Sequence, residues 1–390
     1  MRRSIPLLLA ASLLVPACGD DDGGGEGAAD TTTTEAPAEV RMNEIQVLGS
    51  HNSYHLRPEP AVRDGIAAFA GEQVAAEFDY EHLPLTEQLE DHGIRQLEID
   101  VYADPEGGRF SDRPAGALIG LPTASGEPAL DEAGFKVLHQ VDVDFRSTCL
   151  TFVACLSEIE SWSSANPDHE PVMVMVEAKQ QSLSEATEGA LDLSALGVEL
   201  TEVVRFDRST FDALEAEILS VFDRDALITP DDIRGDAATL EEAVLAGDAW
   251  PTMDQATGKV LFSLVDLGTT RDTYVGDAPN LEGRLLFTSS EEGRPDAAFI
   301  RIDDPLTEGD RIRAAVRAGY LVRTRTDVPG AEATADDTSR RDAAIASGAQ
   351  YLSTDHYVPD PERGSGYVVA LPGGRAARCN PVNAPDGCEL

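Results

Sequence analysis

The chain is poor in positive charge. Thirty lysines and arginines stand against 71 aspartates and glutamates in 390 residues, giving a formal net charge of −41 and a pI near 4.3. Such a surface repels the phosphates of nucleic acid, so no nucleic-acid partner is expected. It also weakens adsorption to anionic membranes, and it fits solubility in a salty or extracellular setting. Aromatic residues are only 6% of the chain, and no basic, aromatic-rich helix suggests deep bilayer insertion. The apolar stretch at residues 5–15 is too short to span a membrane. What is present is 42% hydrophobic content in a chain long enough to bury a large core, and one barrel with loop insertions accounts for most of it.

Cysteine is scarce as well, and its placement is informative. Met1-Arg2-Arg3 precedes the apolar stretch, and Val15-Pro16-Ala17-Cys18 resembles a lipoprotein cleavage box. Residues 1–17 are therefore expected to be a signal peptide. Cys18 would become the lipidated first residue of an exported protein, anchored at the cell surface or secreted. Residues 18–42, rich in Gly, Asp, Thr and Ala, cannot bury enough apolar surface to fold and read as a flexible tether. The other four cysteines, Cys149, Cys155, Cys379 and Cys388, are an even number in an exported chain and imply two disulfides. Three connectivities are possible and the sequence does not choose; the local pairs Cys149 with Cys155 and Cys379 with Cys388 are favoured. In one continuous helix Cys149 and Cys155 would lie roughly 9 Å apart at Cα, beyond the roughly 7 Å a disulfide tolerates. A local bridge thus predicts a turn there, with the helix proper starting near Leu156. Neither pair has the spacing and nearby histidines of a zinc site.

Strand-like apolar runs occur at residues 44–50, 94–102, 135–139, 172–178, 259–265, 298–303, 320–324 and 350–354. Helical periodicity marks residues 85–91, 156–164, 210–222, 240–245, 311–318 and 340–346. Gly93, Gly319 and Gly348 fall where helices should stop. Eight strands interleaved with helices predict a (β/α)₈ barrel over residues 43–390. Two places depart from regularity. Residues 104–134 read as a long loop where a helix is due, and residues 180–260 are too long for one helix. Residues 284–288 read as an extra strand.

Polar residues punctuate the ends of the first four runs: His51-Asn52, Glu98 and Asp100, His139, and Glu177 with Lys179. The intervals are 48, 40 and 38 residues when the second site is taken at Ile99, about one βα unit each. C-terminal strand ends of a barrel share one mouth. Alternation of faces turns Glu98 and Asp100 the same way, and likewise Glu177 and Lys179. Crowded carboxylates need a cation or a proton between them. The oxygen set Asn52, Glu98, Asp100 and Glu177 suits Ca²⁺ or Mg²⁺ better than zinc.

These segments resemble the phosphatidylinositol-specific phospholipases C, specifically their Ca²⁺-dependent bacterial branch. The resemblance is carried by Gly49-Ser50-His51-Asn52-Ser53-Tyr54-His55, Glu98-Ile99-Asp100-Val101-Tyr102, Val137-Leu138-His139 and Val176-Glu177-Ala178-Lys179. Ser147-Thr148-Cys149, Ser161-Trp162-Ser163, Gly319-Tyr320-Leu321-Val322-Arg323-Thr324-Arg325 and Tyr351-Leu352-Ser353-Thr354-Asp355 extend it to the C-terminus. It implies a TIM-type barrel with long mouth loops, Ca²⁺ as cofactor, a phospholipid substrate at a membrane surface, and a monomer. His51 and His139 would then supply the base and acid of phosphodiester cleavage, for which histidine is suited by a pKa near neutrality. The base role stays open among His51, Glu98 and Glu177.

Lys179, Arg323 and Arg325 are the candidates for headgroup contact; Lys179 is also the candidate to replace the ion, as a basic side chain does in metal-free relatives. His55, His82, His92, His169 and His356 are expected at the surface or in loops, with His55 and His356 the two within range of the mouth. Asp142 and Asp144 read as loop-shaping or supporting groups. Two other readings stand beside this one. A glycerophosphodiester phosphodiesterase shares the Glu-x-Asp then His pattern, but its His-Arg-Gly opening is absent, since Asn52 and Ser53 follow His51. A ligand-binding surface lipoprotein would have no need of both histidines.

Overall fold

The computed structural model of the protein describes residues 39–187, 193, 196–362 and 364–390. The expected signal peptide, Cys18 and most of the expected tether lie outside the described residues. In chain order the strands are β1 Ile45–Ser50, β2 Ile94–Asp104, β3 Gly134–Val137, β4 Val172–Ala178, β5 Leu227–Ile228, β6 Val260–Leu264, β7 Leu286–Thr288, β8 Phe299–Arg301, β9 Leu321–Arg325, β10 Tyr351–Thr354 and β11 Ala377–Cys379.

Parallel pairing runs β1-β2-β4-β6-β7 on one side and β1-β10-β9-β8 on the other. A parallel bridge between Ser289 and Phe299 joins β7 to β8, with the Ser290 N–H donating to the Phe299 carbonyl at 3.0 Å. Eight parallel strands therefore close into the expected (β/α)₈ barrel. Strands covered on both faces read as unbroken apolar runs, as Val172-Met173-Val174-Met175-Val176 does, and all five side chains are buried.

Two strand assignments change. The run at 135–139 is not a barrel strand: β2 is 11 residues long, and its far end pairs antiparallel with β3. The run at 284–288 supplies β7, which belongs to the ring. Apolar periodicity reports a strand's burial and not its partner, so these two were interchangeable in sequence.

Helices α1 Pro60–Ala70 and α2 Glu72–Glu77 fill the connection after β1 and were not foreseen; α3 Leu85–Asp91 was. Helix α4 Phe152–Ala165 begins four residues before the expected start, where the Thr151 hydroxyl caps it by accepting from the Ala154 N–H at 3.2 Å. Cys149 lies ahead of that cap, off the helical path. It reaches Cys155 at a Cα separation of 5.2 Å, and Cys379 pairs with Cys388 at 6.1 Å. Gly319 ends the helix Pro305–Ala318 at φ 103°, and a Cβ there would stand 2.8 Å from the Val244 carbonyl oxygen, so glycine is required on two counts.

Candidate active site

Register builds the carboxylate cluster. Pairing of β2 with β4 sets Glu98 beside Met175 and Asp100 beside Glu177. One oxygen each from Glu98, Asp100 and Glu177 lies within 4.8 Å of the others. Burial drives the Asp100 carboxyl well above its ordinary pKa; Lys179 works against that rise, and Glu177 and Glu98 add to it. The Lys179 ammonium sits 3.3 Å from both Asp100 Oδ2 and Glu177 Oε1. Burial would raise Glu177 too, but Lys179, with His51 and Arg301, outweighs it and the pKa falls.

Asn52 follows β1 in the left-handed region at φ 46°, a conformation asparagine tolerates better than most residues. Its Nδ2 donates to the Tyr80 hydroxyl at 2.9 Å, while its Oδ1 is buried with no hydrogen-bond partner. Both Asp100 carboxylate oxygens also lack a well-formed hydrogen bond, Oδ2 having the Lys179 ammonium at 3.3 Å. Buried acceptors call for a partner. A hard cation taking only oxygen ligands meets that need, so the residues present fit Ca²⁺.

His51 is held by an acid that sequence reading did not assign. Its Nδ1 lies 2.9 Å from Asp355 Oδ1, and since an ionised carboxylate only accepts, Nδ1 carries the proton. Its Nε2 is left facing Glu98 Oε1 at 3.9 Å. Burial disfavours the Asp355 anion, yet Arg325 and His51 together hold its pKa well below the ordinary range. Arg325 reaches Asp355 Oδ2 at 2.7 Å, and Arg323 reaches Glu98 Oε2 at 2.8 Å and pairs with Asp303. Both arginines, expected at the headgroup, are buried and committed to carboxylates around His51. The inward face of a narrow barrel allows little else.

His139 arrives by a different route, from the loop after β3 and not from the end of a barrel strand. Its Nδ1 is 3.4 Å from Asp144 Oδ2, which also takes His55 Nε2 at 2.7 Å. Burial would raise Asp144, but the two histidines lower it to about 2. Burial lowers His139 to about 4, opposed by Asp144. His55, His82, His169 and His356 are not at the surface: their exposures are 0, 4, 5 and 3%. His169 is held by polar partners inside the fold: its Nδ1 donates to the Glu170 carbonyl at 2.6 Å, leaving Nε2 to accept from Ser163 Oγ at 2.7 Å. Another acid without an assignment from sequence, Asp266 beyond β6, accepts the Ala178 N–H at 2.8 Å and is pushed up to about 7 by burial and Glu177. It ends an apolar run, the same signal that marked Glu98 and Asp100. A cleft of about 500 Å³ lined by Glu177, Lys179, Gln180, Arg205, Asp266 and Thr270 opens beside the cluster.

His82 offers a pH test outside the chemistry. Its Nε2 donates to the His51 carbonyl at 2.8 Å, and burial lowers its pKa to about 3 from 6.5. Between those values the unfolded chain binds a proton that the folded chain refuses, so stability is lost as pH falls through that window. By pH 4.5 this group alone should cost up to about 3 kcal/mol relative to pH 7. His82→Gln keeps an N–H donor and should flatten that loss, read from urea midpoints at the two pH values. An unchanged pH dependence would refute the assignment.

A family model described as "Phosphoinositide phospholipase C, Ca2+-dependent" matches residues 40–381. Among solved structures the chain is similar to a calcium-dependent phosphoinositol-specific phospholipase C from Pseudomonas sp. in an apo crystal form, at 16% identity over 87% of this chain and 95% of that one, with a TM-score of 0.53. The myo-inositol complex of the Pseudomonas enzyme aligns at 16% identity over 87% and 96%, with a TM-score of 0.52. A Ca²⁺-dependent phosphatidylinositol-specific phospholipase C from Streptomyces antibioticus aligns at 20% identity over 84% and 97%, with a TM-score of 0.48. At identities this low, the two Pseudomonas structures, with TM-scores above 0.5, show a shared fold alone. No curated protein matches the chain.

Proposed function

This chain belongs to the Ca²⁺-dependent phosphoinositide phospholipase C family, and from that premise we propose that it cleaves phosphatidylinositol-type lipids to diacylglycerol and inositol 1,2-cyclic phosphate. The observation that carries the reading is the setting of His51: Asp355 fixes the proton on Nδ1, so Nε2 faces the carboxylate cluster as an acceptor. His51 takes the proton of the inositol 2-hydroxyl. That oxygen bonds to phosphorus as the bond to the glycerol oxygen breaks, and His139 gives the departing oxygen its proton. In the substrate-free protein His139 is neutral at pH 7, its pKa being lowered to about 4 by burial. A phosphodiester anion beside it favours the imidazolium and so arms the acid. Asn52, Glu98, Asp100 and Glu177 would hold Ca²⁺. When bound, the ion would withdraw charge from the phosphate and lower the pKa of the attacking hydroxyl.

One observation favours a second reading. Lys179 stands between Asp100 and Glu177, where a cation is wanted, and that placement supports a metal-free version of the same chemistry. The substrate class is tested by a panel of phosphodiesters with product identification. Phosphatidylinositol should be cleaved and phosphatidylcholine, which has no neighbouring ring hydroxyl, should not. Efficient cleavage of glycerophosphocholine without activity on any inositol lipid would make this a glycerophosphodiester phosphodiesterase.

The two disulfides fit an oxidising compartment. With Cys18 acylated after cleavage, the protein should partition with membranes and Cys18→Ser should release it. A wild-type mature N-terminus downstream of Cys18, read by mass spectrometry, would contradict the anchor.

A further inference from the structure

The mouth carries a second cavity of opposite character. It holds about 210 Å³ and is walled by α1, the turn Pro114–Ile119 and the loops beyond β3 and β4, through Val62, Ile66, Leu118, Ile119, Val143 and Leu183. Gln140 and Ala186 border both this apolar cavity and the polar cleft containing Glu177 and Lys179, so the two adjoin. His139 stands at the junction: Gln140 is its neighbour in sequence, and Phe78 of the apolar wall packs on its ring at 4.7 Å between centroids. Phe69, 52% exposed, is also part of the apolar lining.

We propose that this cavity is an acyl-chain subsite, taking the glycerol-proximal part of one fatty chain of the lipid while the polar cleft takes the headgroup. The inference rests on the phospholipase reading above. Its occupant follows from adjacency to the site: the group that departs past His139 is a glycerol bearing ester-linked chains, and Phe78 of the apolar wall packs against the ring that would protonate its oxygen. Apolar cavities are poorly hydrated and favour apolar ligands. At about 30 Å³ per water-sized group the space takes roughly seven methylenes. It therefore fits part of a chain and no more.

The test is a chain-length series of phosphatidylinositols, from dibutanoyl to dioctanoyl, each kept monomeric below its micelle threshold. We expect kcat/KM to rise about fourfold per added methylene per chain, levelling off near seven carbons. Ile66→Trp, which fills the cavity, and Leu118→Gln, which makes its wall polar, should each lower the ratio of kcat/KM for dihexanoyl phosphatidylinositol over chainless glycerophosphoinositol by about tenfold or more. The ratio is taken within each variant, so any loss of folded protein cancels. A flat monomer series, or a ratio unmoved in both variants, would overturn the subsite. An effect confined to vesicles would make this face a membrane-docking surface and overturn it equally. Wild-type inactivity on both substrates would instead remove the phospholipase reading on which the subsite rests.

Discussion

His51→Ala and His139→Ala should each lower turnover of phosphatidylinositol by about 10²-fold or more. Folding should survive both changes. Asp355 keeps Arg325 when His51 is removed, and Asp144 keeps His55 when His139 is removed, so neither substitution strands a buried carboxylate. The two losses should differ in kind. A substrate whose leaving group is already a weak base has little need of an acid, so it should rescue His139→Ala far more than His51→Ala. Equal rescue of both variants would mean that the roles are not divided between these side chains. A loss of less than about tenfold in His51→Ala would shift the base to Glu98 or Glu177.

Removing the metal should have an effect at least as large. Chelation is expected to abolish activity and Ca²⁺ to restore it. Glu98→Gln, Asp100→Asn and Glu177→Gln should each weaken Ca²⁺ binding measured directly by calorimetry. Asp100 is the position with most at stake, because its carboxylate is buried with no well-formed hydrogen bond and has Lys179 as its cationic partner. Ca²⁺ should also raise the thermal midpoint by mass action, an effect that Asp100→Asn should diminish. Full activity in excess chelator would place the Lys179 ammonium in the role given to the ion, and Lys179→Met would then be the inactive variant.

The parts of the site that were legible in sequence are those encoded by strand parity. Glu98 and Asp100 are two apart in one run, so their shared face needed no tertiary information, and the pairing of Asp100 with Glu177 followed once both strands were in the barrel. His139, expected at the end of a barrel strand, instead follows β3, which pairs antiparallel with β2, and the near-regular spacing concealed that difference. What escaped were partners fixed by the closed barrel. Asp355 meets His51 across 304 positions and Arg323 meets Glu98 across 225, distances at which no local pattern carries information. The same holds for His55, whose burial depends on Asp144 and the Tyr80 carbonyl. Strand β7 was legible as a strand but not as a member of the ring, since three residues give too short a pattern to fix a neighbour.

In the proposed chemistry the inositol's own 2-hydroxyl attacks phosphorus, activated at His51 within the carboxylate-lined mouth. Phosphorus NMR of phosphatidylinositol turnover in the presence of Ca²⁺ tests it most directly. A five-membered cyclic phosphodiester, inositol 1,2-cyclic phosphate, should appear first and any inositol monophosphate only afterwards; an acyclic monophosphate formed from the outset with no cyclic precursor would rule out attack by the 2-hydroxyl.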